Sequence, residues 1–286
     1  MHKEVITMGA DVNVRTFEDT MRLCEQDSLL KKSVEESIAA TRIIRSADEI
    51  DVPDRNRYGQ KAKVLVTGMS TVEAAFDYPG ENHIAVLNST WIRPGGRVDR
   101  GESGLEEDLC RYTTLKPCLD ACVGEFYHPE SKSQDPLFNN DLIYTPGVTV
   151  VKYDGDTPTL IPEEDRYGFD VISCIPPDTS SSAGNPDYYV NPRDLRTYSG
   201  VRFTVLHEKR LRRVLDVALM NGCDTVILCA FGCGRAKNPA HEVAVAASNV
   251  IGDYLHAFKN IEFAILDTYS KDAEREFEKA LKEFLD

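Results

Sequence analysis

Two short runs in this 286-residue sequence, VISCI at 171–175 and VILCAF at 226–231, are apolar almost without interruption. A strand that is apolar on both of its faces has to be covered on both. That is the situation of a strand inside a parallel or mixed sheet with helices packed on either side. The rest of the chain from Lys61 onward fits such a plan, because short β-branched runs alternate with helical periodicity. Strands are predicted at Lys63–Thr67, Ile84–Asn88, Thr149–Tyr153, Asp170–Ile175, Thr225–Phe231 and Ile261–Asp267. Helices are predicted at Leu105–Leu119, Val205–Asn221, Pro239–Phe258 and Lys271–Phe284. The expected fold class is therefore α/β, a three-layer α/β/α arrangement around a mixed sheet.

The first sixty residues read differently. Apolar positions recur at three- and four-residue spacing over Phe17–Cys24 and Leu29–Arg45, and the polar, turn-rich stretch 51–59 follows. This gives a helical extension over 1–60 packed on a main domain over 61–286. A chain of this length buries roughly three quarters of its unfolded surface, so the core needs no cross-links.

Charge narrows the partners. With 33 basic against 47 acidic residues and a net charge of −14, the chain lacks the cationic surface that nonspecific nucleic-acid binding requires. A phosphate-bearing ligand would have to be held by backbone N–H groups and helix N-termini. Met1–Arg15 has no apolar run like that of a secretory leader, and no stretch reaches the length of a membrane span. The eight cysteines are Cys24, Cys110, Cys118, Cys122, Cys174, Cys223, Cys229 and Cys233. Several lie in apolar runs, and the pairs Cys118/Cys122 and Cys229/Cys233 lack C-x2-C spacing, so reduced core thiols are expected rather than zinc ligands. The expectation is a cytoplasmic protein with no metal, no cofactor and no membrane contact. Nothing in the sequence sets its oligomeric state.

Two segments combine strand, glycine loop and helix start. In the first, IAVLN leads into Arg93-Pro94-Gly95-Gly96-Arg97 and then into Ser103-Gly104-Leu105-Glu106-Glu107-Asp108. The glycines let backbone come close to a ligand. Ser103 is placed as N-cap with Glu106 three residues on, as a capping box requires. Neighbouring helical residues point about 100° apart, so Glu106 and Glu107 have different tasks. Acidic residues in a first turn also suit the helix dipole without any catalytic purpose. In the second segment, VILCAF runs into Gly232-Cys233-Gly234-Arg235 and then Asn238-Pro239, read as N-cap and first helical residue. Strand, glycine loop and helix N-terminus make an anion cradle, and Arg235 and Lys237 add cations there; a plain tight turn is the alternative. The loops 122–146 and 176–194 are long and polar, which suits either ligand-shaping segments or surface insertions. VTGMST at 66–71 lacks the G-x-G-x-x-G spacing of a dinucleotide fold. His207 and His241 fall on predicted helices, and of the two only His241 is predicted near the glycine loop.

In this order, VLN, PGG, EEDLCR, IYTPGVTVVK, VISCIPPD and LCAFGCGRAKNP resemble the microbial-type poly(ADP-ribose) glycohydrolase family of the macrodomain superfamily. The resemblance runs from KKSVEESIAATRII to about Pro239. It implies a signature glycine loop at Gly95 and Gly96, a catalytic acid at Glu107, and a ribose-holding role for Glu106. It also implies a diphosphate-binding segment over Phe231, Gly232, Cys233, Gly234 and Arg235, with Asn88 near the distal ribose. Two positions depart from the family pattern: Arg97 stands where a third glycine would be, and Leu105 replaces a glutamine. The implied ligand is ADP-ribose or an ADP-ribosylated substrate, polymer or single unit. A non-catalytic ADP-ribose reader is the other outcome these residues allow.

Overall fold

The computed structural model describes residues 2–78, 80, 83–133, 135–155, 158–180, 202–266 and 272–285. Its centre is a seven-stranded sheet in the order β1-β4-β5-β3-β6-β7-β2. The strands are β1 (Arg42–Ile44), β2 (Lys63–Thr67), β3 (Ile84–Ser89), β4 (Leu142–Thr149), β5 (Gly168–Cys174), β6 (Thr225–Leu228) and β7 (Asn260–Ala264). β5, β3, β6, β7 and β2 pair in parallel, while β4 runs antiparallel to both β5 and the edge strand β1.

Successive residues of the central strands alternate between two cores, as a pleated strand requires. Leu87, Ile172, Val226 and Leu228 face helices α7 (Phe203–Met220), α8 (Ala240–Ile251) and α9 (Asp272–Leu281). Val86, Val171 and Ile227 face α3 (Thr71–Phe76), α4 (Leu105–Tyr112) and α5 (Leu115–Ala121). The fully apolar runs in the sequence are thus explained by cover on both faces. The long helices α1 (His2–Gln26) and α2 (Ser28–Ala40) lie outside this second layer. Lys152 ties α1 down, donating through Nζ to the Thr16 carbonyl and the Thr20 hydroxyl and pairing with Asp19.

Several boundaries differ from the sequence expectation. The helix predicted through Arg45 stops at Ala40, and Arg42–Ile44 instead extends the sheet, because the exposed edge of β4 offers its ladder to them. β4 occupies 142–149 rather than 149–153. Pro146-Gly147 forms a bulge inside that strand, with Gly147 at φ +67° and a register shift between Thr145 and Val148. The helix predicted over 105–119 is broken at Thr113-Thr114, where Thr114 N–H donates to the Thr149 carbonyl and the Thr114 hydroxyl accepts from Thr149 N–H. Within the loop predicted at 122–146, Val123–Tyr127 forms a π-turn and α6 covers His128–Ser131. Of the other predicted loop, residues 181–194 lie outside the described residues. Among the described residues, no helix is long and apolar enough to cross a membrane.

Arg210 of α7 is the polar staple of this fold. Its guanidinium is enclosed and donates to the carbonyls of Ile175, Leu137 and Phe138, while Nε donates to Asn140 Oδ1. It thereby fixes the chain leaving β5 to the segment preceding β4. Replacing Arg210 by Ala should cost about 3 kcal/mol or more, since several buried acceptors lose their donor together. A urea-unfolding midpoint unchanged from wild type would contradict this.

Candidate functional site

In an open α/β sheet, ligands collect where the carboxyl ends of the parallel strands meet their following loops. Here the loops after β3 (90–104), β5 (175–180) and β6 (229–239) come together at that rim. Thr90 N–H donates to the Cys174 carbonyl, Thr179 donates to the Ala236 carbonyl, and Asn238 Nδ2 donates to the carbonyls of Pro177 and Gly232. The two glycine turns, more than 130 residues apart in the chain, are therefore neighbours.

The loop after β3 is folded around Glu106. This side chain is 3% exposed and accepts from the Thr90 hydroxyl, Trp91 N–H at 3.3 Å and Gly95 N–H at 3.2 Å. Thr90 in turn bonds to the Tyr127 hydroxyl at 3.0 Å. Burial raises the Glu106 pKa to about 8, with the neighbouring Glu107 charge adding to the rise and the bonds from Thr90, Gly95 and Trp91 opposing it. Ser103 does not cap α4. The cap position is Gly104, Ser103 accepts from Asn13, and Glu106 spends its carboxylate on the loop, where its donors are buried.

Glu107 points the other way, into the rim. Its Oε1 accepts from Arg97 N–H at 3.2 Å and lies 3.6 Å from Arg235 Nη2. Two glycines make room for it. A Cβ on Gly96 would sit 2.2 Å from Glu107 Oε1, and one on Gly104 would sit 2.6 Å from Oε2. Gly95 and Gly96 also hold φ of +73° and +55°, a region that favours glycine. Arg97 turns its guanidinium to Glu102 at 3.0 Å, and Glu102 also receives Arg235 at 2.5 Å. The resulting strap, Arg97–Glu102–Arg235, crosses between the two loops beside Glu107. The arginines hold the Glu102 carboxyl below its ordinary range.

The loop after β6 turns at Gly232, with φ +76° and no space for a side chain between Asn238 and Pro176. Gly234 and Arg235 are exposed, Cys233 is half-buried, and Phe231 is buried with its ring 5.8 Å from that of His207. Asn238, expected as an N-cap, is enclosed and binds three carbonyls instead; Pro239 holds the cap position and α8 begins at Ala240. His207 meets Asn238 Oδ1 at 2.9 Å, and burial lowers its pKa to about 3, so it stays neutral. His241 is paired with Glu276 on the exposed side of α8. At the end of β3, Asn88 donates through Nδ2 to Ser173, while its buried Oδ1 has no partner among the described residues.

A cavity of about 300 Å³ opens beside α3 after β2, lined among others by Gly68, Met69, Phe76, Tyr153 and Tyr167. The three rings meet edge-on at 5.7–5.9 Å. Sequence reasoning missed this cavity and the roles of Thr90, Trp91 and Glu102. Only VTGMST, a strand followed by a polar turn, hinted at it.

The Glu106 environment has a consequence for stability. Its folded pKa lies above the ordinary 4.5, so its contribution is fully present below about 4.5 and is lost as pH rises through about 8. Glu106→Gln should flatten the pH dependence of the unfolding midpoint across that window; an equally steep profile in the variant would show that Glu106 does not titrate there.

Residues 14–153 match the family model described as "Microbial-type PARG, catalytic domain". No curated protein matches the chain in sequence. Among solved structures, the poly(ADP-ribose) glycohydrolase of Thermomonospora curvata aligns with a TM-score of 0.80 at 24% identity, covering 94% of this chain and 98% of that one. The same enzyme bound to the inhibitor ADP-HPD gives 0.77 at 24% identity, over 93% and 98%. The Deinococcus radiodurans poly(ADP-ribose) glycohydrolase in complex with ADP-ribose gives 0.73 at 26% identity, over 87% and 97%. Over residues 14–153 the chain is similar to the microbial-type PARG catalytic domain, and nearly its whole length carries the fold of the bacterial poly(ADP-ribose) glycohydrolases.

Proposed function

We propose that this protein is a glycohydrolase that cleaves the O-glycosidic bond at the distal ribose of poly(ADP-ribose) or of a mono-ADP-ribosylated target. The observation that carries the reading is the Glu107 carboxylate, held at the junction of the two glycine turns and 3.6 Å from the Arg235 guanidinium. The bacterial structures solved with ADP-ribose and with ADP-HPD support it.

In this reading the diphosphate lies between the turns at Gly95–Arg97 and Phe231–Arg235. It takes over the Arg235 and Arg97 guanidiniums that Glu102 now engages, exchanging one anionic partner for another. The adenine ring is assigned to the cavity beside Met69 and Tyr153, where aromatic rings offer stacking faces and Glu73, Asp77 and Asp154 offer acceptors. The distal ribose then comes over Glu107, with the unpaired Oδ1 of Asn88 left to accept a hydroxyl hydrogen. Glu107 donates a proton to the leaving oxygen as the C1″–O bond breaks, and the ribose passes through an oxocarbenium-like state that the diphosphate stabilises. Glu107 then takes a proton from the attacking water. Glu106 serves as a positioning residue, because its carboxylate is occupied by the loop. A reducing compartment such as the cytoplasm suits this chain, in which seven of the eight cysteines are buried.

The strap beside Glu107 favours a second reading, an ADP-ribose reader in which Arg97 and Glu102 narrow access for water or leaving group. Calorimetry with ADP-ribose and hydrolysis assays on poly- and mono-ADP-ribosylated protein separate the two.

For the hydrolase, Glu107→Gln should lower turnover by about 10²-fold or more, in the range of general acid–base catalysis, while ADP-ribose still binds. Full turnover in that variant would end the assignment. Arg235→Ala should weaken ADP-ribose binding by about tenfold, the loss of one charge-assisted contact, read by calorimetry. An unchanged Kd would place the diphosphate elsewhere.

A further inference from the structure

At the opposite end of the sheet from Glu107, three residues of different elements converge on one point. His83 immediately precedes β3, Asp170 is the third residue of β5, and Cys223 lies two residues before β6. β5, β3 and β6 are adjacent in the sheet. The ligating atoms His83 Nε2, Asp170 Oδ2 and Cys223 Sγ all lie within 4.8 Å of one another.

The arrangement around Asp170 is lopsided. Oδ2 alone faces the His83 ring nitrogen at 2.7 Å, the Cys223 thiol at 3.7 Å and the Tyr144 hydroxyl, while Oδ1 accepts from Gly147 N–H at 3.0 Å. Three polar atoms crowded about one carboxylate oxygen are a set that a single cation can serve at once. The supports are fixed: Asp224 N–H donates to the His83 carbonyl at 2.9 Å, tying the segments before β3 and β6 together. Arg57 donates to the Cys223 and Gly222 carbonyls and holds that turn from outside. Asp170 and Cys223 are buried, whereas the His83 side chain is 48% exposed, which supplies an entry path.

We propose that His83, Asp170 and Cys223 form a zinc-binding site. For metal–ligand bonds of about 2.0–2.3 Å in a tetrahedron, ligand atoms are about 3.3–3.7 Å apart. The Cys223–Asp170 separation of 3.7 Å already meets this, and the 2.7 Å His83–Asp170 contact widens by a small turn of the half-exposed imidazole. A thiolate with an imidazole selects zinc over the hard cations calcium and magnesium. Binding breaks the S–H bond of Cys223 and releases its proton to water. The thiolate and the Asp170 carboxylate then balance the two positive charges, His83 binds as neutral imidazole, and water fills the fourth position. Tyr144 and Gly147 orient Asp170 from the outer shell, as such groups do in zinc proteins. The ion rivets the amino ends of β5, β3 and β6, and it has no part in the chemistry at the other end of the strands. The inference does not rest on the glycohydrolase reading.

The test is equilibrium dialysis of the full reduced chain against micromolar Zn²⁺, with Co²⁺ as a spectroscopic probe. One metal per chain is expected, with a thiolate-to-cobalt charge-transfer band and a raised Tm. Cys223→Ser should abolish the band. His83→Ala, a change at a half-exposed position, should weaken binding by more than about tenfold and leave hydrolysis unchanged, and Tyr144→Phe should weaken it about tenfold with the band retained. Cys233→Ser, removing the half-buried thiol, should keep metal and band alike. No bound metal in the wild-type chain, a band that survives Cys223→Ser, or unchanged affinity in His83→Ala would each overturn the proposal.

Discussion

The rim of this protein is organised by one buried carboxylate. Glu106 gathers the Trp91 and Gly95 N–H groups and the Thr90 hydroxyl into its own turn of helix, and so wraps the glycine loop onto the start of α4. With that residue facing inward, its neighbour about 100° round the helix faces the rim. The geometry of Glu107 is thus a consequence of Glu106, and the small residues Gly96 and Gly104 give it room. Burial keeps Glu106 largely protonated near neutrality, which limits the repulsion between two adjacent acids in one first turn.

The loops from β5 and β6 are held to this rim by a polar network that buries few charges. Asn238 links Gly232, Ala236 and Pro177, and the neutral His207 fixes Asn238 from below. Arg210 performs the same service for the chain after β5. These groups are rigid and enclosed, while the cations of the rim, Arg97 and Arg235, are half-exposed and share a single partner in Glu102. A fixed frame with exchangeable surface ion pairs suits the diphosphate ligand proposed for this rim, since exposed pairs are worth little and give way readily.

The helical layers, the strands β2, β3, β5, β6 and β7, and the two glycine turns were legible in the sequence because each is written locally, in apolar periodicity or in strand–glycine–helix order. The errors fall where a long-range partner outbid a local preference. Ser103 and Asn238 carry ordinary capping side chains, yet both are engaged elsewhere, Asn238 by three buried carbonyls. Arg42–Ile44 ends a helical pattern and still becomes a strand, because β4 presents an open edge. The loop expected over 122–146 gives way to β4 from Leu142, with a bulge at Pro146-Gly147 where Asp170 and Ser37 hold Gly147. The His83–Asp170–Cys223 cluster is invisible in the sequence, as its members are separated by 87 and 53 positions and none lies in a ligand-spaced pair.

By itself the sequence determined the α/β class, the net acidic charge, the glycine positions, and the order of motifs. Those are set by residue type and by neighbours a few positions away. Only the tertiary structure decided which of two adjacent glutamates faces the rim, that an arginine–glutamate–arginine strap lies beside it, and that a cavity with aromatic walls opens beside α3. These depend on the stacking order of parallel strands, which brings the carboxyl ends of β3, β5 and β6 side by side through contacts no local pattern encodes.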